Sequence, residues 1–133
     1  MPESKKIILD TNFLLIPGQL HVDIFEELSR ICHFPYQLLV LDKTIHELEK
    51  IKTTNKGKHK VAATVALELV HKHQIEVIDT QEYPEEMYAD TILKELTEKD
   101  KDYIIATQDI ALRKNFKKYI ILRQKKYLQL KMR

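Results

Sequence analysis

A single cysteine, Cys32, leaves this chain unable to form an internal disulfide or a thiolate metal cluster, and it reads as a small core residue on a helix. No apolar run is long enough to cross a bilayer as a helix. The segment Met1 to Lys6 leads straight into a strand without a signal-peptide pattern, so the cytoplasm is the expected compartment and no membrane partner is expected. Ser/His/Asp catalysis finds no support, because Ser4 lies in the N-terminal tail and Ser29 on a helix. Linkers, internal repeats and low-complexity tracts are missing too. What remains is 133 residues with 44% hydrophobic content, read as one domain, 1–133, with enough apolar material for a core.

Net charge is only +2, but it is unevenly spread. From Asp79 to Asp109 there are ten acids against three lysines, and after Asp109 there are nine Lys/Arg and no acid. A second basic run, Lys50, Lys52, Lys56, Lys58 and Lys60, surrounds the glycine-bearing loop Thr53 to Gly57. Segregation of this kind suits an anionic polymer guided by basic rims toward an acidic centre that carries metal. Each run taken separately is better explained as the solvated face of a helix.

Strands and helices alternate. Ile7 to Leu9 is an apolar run that ends in Asp10, Thr11 and Asn12. Pro17-Gly18 marks a turn. Val22, Phe25, Leu28 and Ile31 recur at a spacing of three and predict a helix over His21 to Cys32. A short strand follows over Gln37 to Leu41, then a helix over Lys43 to Lys52 with Asp42 as its N-cap, and a long helix from Val61 to about His73. Ile75 to Ile78 reads as a third strand, with Pro84 opening a helix that runs to about Lys99. Tyr103 to Thr107 is a fourth strand, Asp109 opens a short helix through Phe116, and Tyr119 to Leu122 is a fifth strand. Beyond Arg123 only a final turn or edge segment around Tyr127 and Leu128 is expected. The alternation implies an α/β fold, a parallel sheet with helices on both faces, because parallel neighbours need crossover connections.

Four acids stand out by position: Asp10 after the first strand, Glu47 in the helix after the second, Asp90 in the helix before the fourth, and Asp109 after the fourth. Each has an ordinary explanation. Asp10 could form an Asx turn, Glu47 could pair with Lys43 or Lys50, Asp90 with Lys94, and Asp109 could cap its helix. Their shared context argues the other way, since Asp10 and Asp109 both follow strongly apolar strands and both have hydroxyl and amide neighbours. His71 and His73 are read as helix caps or surface residues rather than metal ligands. Six tyrosines, Tyr36, Tyr83, Tyr88, Tyr103, Tyr119 and Tyr127, could stack on bases, although packing at the core margin explains most of them. A receiver-like signalling domain would need paired acids after the first strand and a Lys after the fifth; Asp10-Thr11 and Arg123-Gln124 do not supply them.

The chain resembles the PIN-domain nucleases over essentially its whole length. The carrying residues are Leu9-Asp10-Thr11-Asn12, Leu41-Asp42-Lys43-Thr44-Ile45-His46-Glu47-Leu48, Ala89-Asp90-Thr91-Ile92 and Ala106-Thr107-Gln108-Asp109, in that order. The segment Tyr103 to Lys114 is similar to the branch that includes ribosomal-RNA-processing endonucleases, and also to the wider group that includes toxins of toxin–antitoxin pairs. The resemblance implies a three-layer α/β/α fold with a parallel five-stranded sheet in the order 3-2-1-4-5. That order sets the first and fourth strands side by side, at a topological switch point.

It also implies a metal-dependent endoribonuclease, in which Asp10, Glu47, Asp90 and Asp109 are the catalytic carboxylates and hold Mg²⁺ or Mn²⁺. Asp10 and Asp109 would be the main ligands, and Thr11, Asn12 and Thr107 their supporting shell. Lys56, Lys58, Lys60, Arg113 and Lys114 would contact RNA. The product ends would be a 5′ phosphate and a 3′ hydroxyl. The implied assembly is a homodimer, with Phe13, Leu14, Leu15 and Ile16 as its contacts or as core. The implied protein partner is an antitoxin or a ribosome-assembly factor, and the alternative functions are a toxin nuclease of a toxin–antitoxin pair and a PIN-like RNA-binding module without catalysis. Two positions depart from the family pattern: Thr91 stands where a second Asp is common, which leaves the number of ions open, and Ile110 follows Asp109 where Arg is common.

Overall fold

The computed structural model describes residues 4–132. A central strand, β1 (Lys5–Leu9), is followed by two short helices, α1 (Thr11–Leu14) and α2 (Ile16–Leu20), and by α3 (Ile24–Ile31). β2 (Tyr36–Leu41) leads into α4 (Asp42–Thr54) and α5 (Lys58–Lys72), and β3 (Glu76–Ile78) into α6 (Ala89–Lys99). β4 (Tyr103–Ala106), α7 (Ile110–Arg113), β5 (Lys118–Arg123) and β6 (Tyr127–Met132) complete the described chain. The strands lie in the order β3-β2-β1-β4-β5-β6, and all neighbouring pairs are parallel except β5 with β6.

The inner strands read as unbroken apolar runs because they are covered on both faces. Successive side chains point to opposite faces, so each strand divides between two cores. Ile7, Leu9, Val40, Ile104, Ala106 and Ile120 pack with Phe13, Leu14, Ile16, Ile24, Leu28, Leu48 and Ala66 from the first five helices. Ile8, Leu39, Leu41, Ile105 and Ile121 pack with Ile92, Leu93, Leu112 and Phe116 from α6, α7 and the segment after α7. The result is the expected three-layer α/β/α arrangement. No described helix is long and apolar enough to cross a membrane.

The sheet differs from expectation at one edge. It has six strands, and the sixth turns back antiparallel, so the sheet is mixed. The turn carries no Asn-Gly or Gly signal. Gln124 and Lys125 instead take left-handed φ values of 52° and 56°, a conformation that glycine or asparagine usually fills. β6 is then latched along its outer side to α3: Glu27 Oε1 accepts from the Leu128 N–H at 2.9 Å, and Arg30 Nη2 donates to the Leu128 carbonyl at 3.2 Å. These bonds fill edge groups that would otherwise stand open to another chain.

Helix boundaries also move. Pro17-Gly18 is not a free turn but the body of α2, with Pro17 in its first turn. Gly18 is required there by close approach, since a Cβ at this position would meet the Ala62 Cα at 2.6 Å. His21, at φ 58°, ends α2, and Asp23 starts α3 three residues later than predicted by accepting from the N–H groups of Phe25 and Glu26. Asp42 lies inside α4 rather than capping it, and its carboxylate accepts from the Thr80 hydroxyl at 2.6 Å and the Thr80 N–H at 3.1 Å. Pro84 precedes α6 by five positions, in a segment held by Lys43.

Candidate active site

β1 and β4 pair in register up to Leu9 and Ala106, so their next residues emerge side by side at the carboxyl edge of the sheet. The Asp10 N–H continues the pairing by donating to the Ala106 carbonyl at 2.9 Å. From there the two strand ends are joined by side chains. Thr107, fully buried and held from β5 by its own N–H to the Ile120 carbonyl, donates its hydroxyl to Asp10 Oδ2 at 2.8 Å. The same hydroxyl oxygen accepts from the Asp109 N–H at 3.0 Å. One threonine thus spans both acidic strand ends.

Asn12 completes the junction from the other side. Its Oδ1 accepts from the Gln108 N–H at 3.1 Å, and its carbonyl accepts from Gln108 Nε2 at 2.9 Å. Asp10 and Asp109 both start helices: Asp10 Oδ1 accepts from the Thr11 N–H, and Asp109 Oδ1 from the Leu112 N–H. Thr11 therefore reaches Asp10 through its backbone, while its hydroxyl turns away to Thr44 Oγ1 at 3.3 Å.

Glu47 and Asp90 arrive from α4 and the first turn of α6. Both side chains are exposed, and neither makes a hydrogen bond among the described residues. They belong to the same field as the strand-end acids. Burial raises Asp10 above the ordinary aspartate value, the Thr107 and Thr11 bonds oppose that rise, and the charges of Asp90 and Asp109 add to it. Glu47 is raised by loss of hydration at its carboxyl and then by Asp10 and Asp90, with Lys50 offsetting part of the effect. Asp90 is raised by loss of hydration and by Asp109. Asp10, Glu47 and Asp90 thus each have their charged form disfavoured in part by a neighbouring acid.

An all-carboxylate donor set suits hard cations that take oxygen ligands, so its chemistry fits Mg²⁺ or Mn²⁺. Among the described residues, no three His, Cys, Asp or Glu side chains already form a group able to hold one ion. Glu47 and Asp90 would have to turn inward from exposed positions to join Asp10 and Asp109.

The other predicted residues lie at varied distances from this chemistry. Lys56 is in the exposed connection between α4 and α5, and Lys58 and Lys60 are exposed in the first turn of α5. Arg113 lies over the Tyr119 ring at 6.0 Å, and Lys114 is the exposed C-cap of α7. No hydrogen bond or ion pair joins these five to the four acids among the described residues. Phe13, Leu14 and Ile16 are fully buried in the core, so the alternative of an exposed dimer contact is closed for those three. Asp100 and Asp102 pair with Lys6 at 2.7 Å and Lys5 at 3.0 Å at the opposite end of the sheet. His73 caps α5 and stacks on Phe25 at 3.7 Å. Sequence position alone does not mark Gln108, Thr44 or Lys43. Only the place of Gln108 between Thr107 and Asp109 could have drawn attention to it.

A family model described as "PIN like domain" matches residues 7–125. No curated protein sequence matches. Among solved structures, the chain is similar to the PIN domain endonuclease Utp24, with a TM-score of 0.74 and 20% identity over 96% of this chain and 92% of that one. It is also similar to a domain of a functionally unknown protein from Methanocaldococcus jannaschii DSM 2661, with a TM-score of 0.53 and 16% identity over 84% and 83% of the two chains. The fold is therefore that of a PIN domain, and this chain belongs to the PIN-like domain family.

Proposed function

We propose that this chain is a Mg²⁺- or Mn²⁺-dependent endoribonuclease. The observation that carries the reading is the junction at the ends of β1 and β4, where Thr107 binds both Asp10 Oδ2 and the Asp109 N–H, with neighbouring acids helping to raise Asp10, Glu47 and Asp90. Like charges gathered where two parallel strands end are unfavourable unless a cation or protons offset them, and such perturbed groups in one place mark chemistry. Asp10 and Asp109 are the main ligands in this reading, and Glu47 and Asp90 complete the set. A bound divalent ion would supply an activated water and charge stabilisation for the scissile phosphate.

The protein's own contribution is positional. Thr107 fixes Asp10 Oδ2 by its hydroxyl and the Asp109 backbone by its oxygen, so both ligands are aimed from one point. Asn12 and Gln108 hold the two loops together. Lys56, Lys58, Lys60, Arg113 and Lys114 supply positive charge for the RNA backbone. Likeness of Tyr103 to Lys114 to the ribosomal-RNA-processing branch favours maturation of ribosomal RNA as the role.

The test is cleavage of structured and single-stranded RNA with Mg²⁺ or Mn²⁺, run beside a calorimetric Mn²⁺ titration. Asp10→Asn and Asp109→Asn are expected to lose about a hundredfold or more in cleavage and most of the Mn²⁺ affinity. Equal cleavage by the parent and Asp10→Asn would assign the activity to a contaminant. Undiminished Mn²⁺ binding in both variants would sink the site.

A further inference from the structure

Among the described residues, Tyr88 is the most exposed large hydrophobic side chain, with 81% of its surface open to solvent. Its position makes that exposure informative. Tyr88 is the N-cap residue of α6, two residues before Asp90 and on the same helix start. On either side of it, Met87 and Ala89 turn inward and pack against the core under α6. Ile110, 59% exposed, stands directly after Asp109 at the start of α7. Tyr88 and Ile110, both open to solvent, thus each adjoin one of the four acids, at the starts of α6 and α7.

Tyr88 is also held in place. Lys43, in the first turn of the helix that carries Glu47, donates to the carbonyls of Glu85 and Met87, each at 2.8 Å. Further back, the Tyr83 N–H donates to the Thr80 carbonyl and Thr80 is bound by Asp42. The segment before Tyr88 is thus tied at both ends to α4. An aromatic ring that faces water from a braced backbone gains nothing from exposure on its own account. A planar partner is what it can take.

We propose that Tyr88 is a stacking platform for an unpaired nucleobase next to the scissile phosphate, with Ile110 as an apolar flank. The proposal rests on the nuclease reading and deepens it by naming a side chain of this chain that would hold the substrate beside the acids. Bases in a duplex are stacked on one another and cannot be offered to a protein ring, whereas single strands and loops present free base faces. The acids would then act on backbone beside an unpaired base, and a paired strand would be a poor substrate.

The chain contains no tryptophan, so Tyr88→Trp introduces a sole indole fluorophore at the platform. The variant is titrated in Ca²⁺, an ion with the same preference for oxygen ligands. The probes are a single-stranded oligoribonucleotide, its full duplex, and a strand of equal length carrying abasic sites throughout. Stacking predicts quenching by the intact single strand and little by the abasic strand or the duplex. Equal quenching by intact and abasic strands overturns it.

Cleavage gives the second measurement. Tyr88→Ala should raise KM for single-stranded RNA about fivefold to tenfold while kcat changes less, and Tyr88→Phe should restore the parent value. Parent-like KM in Tyr88→Ala also overturns the proposal, while leaving the nuclease reading intact. Base-dependent quenching in a protein whose parent never cleaves RNA would uphold the platform and defeat the nuclease reading.

Discussion

Thr107 has one hydroxyl proton, and its shortest acceptor is Asp10 Oδ2 at 2.8 Å; the Asn12 amide oxygen lies at 3.4 Å. The proton therefore serves the carboxylate. Thr107→Val keeps the shape and removes that donor, so Asp10 rises further above its ordinary value and the Asp109 N–H loses its acceptor. The expected cost is about 1–3 kcal/mol in urea unfolding, with a roughly tenfold to hundredfold loss of Mn²⁺ affinity. Glu47 gives the opposite sign. Its raised value means that the folded chain holds a proton more tightly than the unfolded chain. The metal-free fold is thus favoured at acid pH and loses that advantage as pH rises through the elevated value. Glu47→Gln should raise the neutral-pH Tm of metal-free protein by a few degrees at most, because solvent screens an exposed group, and the gain should shrink when Mg²⁺ is added. Scanning calorimetry across this pH range with and without the ion checks both signs. For the same reason divalent ion affinity should climb as pH passes the raised values of Asp10, Glu47 and Asp90.

Elements differ in how openly they show themselves in sequence. The inner strands were legible because burial on both faces demands unbroken apolar runs, as in Ile7 to Leu9 and Ile104 to Ala106. α1 and α2 were not, because helices of four and five residues are too short to show a periodic stripe, and Phe13 to Ile16 reads as a plain apolar run. β6 was half legible, since its turn uses left-handed Gln124 and Lys125 rather than a glycine. In the site, Asp10 and Asp109 could be located by the strands they end. The orientation of Thr11 toward Thr44, and of Thr107 toward Asp10, depends on partners 33 and 97 positions away in sequence, which no local pattern encodes. α2 offers a sharp test of contact-driven structure. Gly18→Ala places a methyl against the Ala62 backbone at 2.6 Å, where no flexible side chain can yield. The substitution should cost about 1–3 kcal/mol by pushing α2 off α5, measured by denaturant unfolding.

Across the whole molecule, the acidic centre and the basic segments lie on different elements, with Lys56, Lys58 and Lys60 exposed near the α4–α5 connection. If these lysines engage phosphates, replacing all three by alanine should flatten the salt dependence of RNA binding by about one unit of log–log slope for each phosphate left without its lysine, and leave Tm unchanged. An unchanged slope would remove them from the RNA path.

The joining of Asp10 to Thr107 also has a consequence in time. The hydroxyl that aims the carboxylate is made 97 residues after it, following roughly 5–20 s of synthesis. β1 must wait over the same interval for β4, its neighbour in the middle of the sheet. A nascent chain therefore carries Asp10 without its partner over that interval, and the proposed metal centre can assemble only once β4 and Thr107 have left the ribosome.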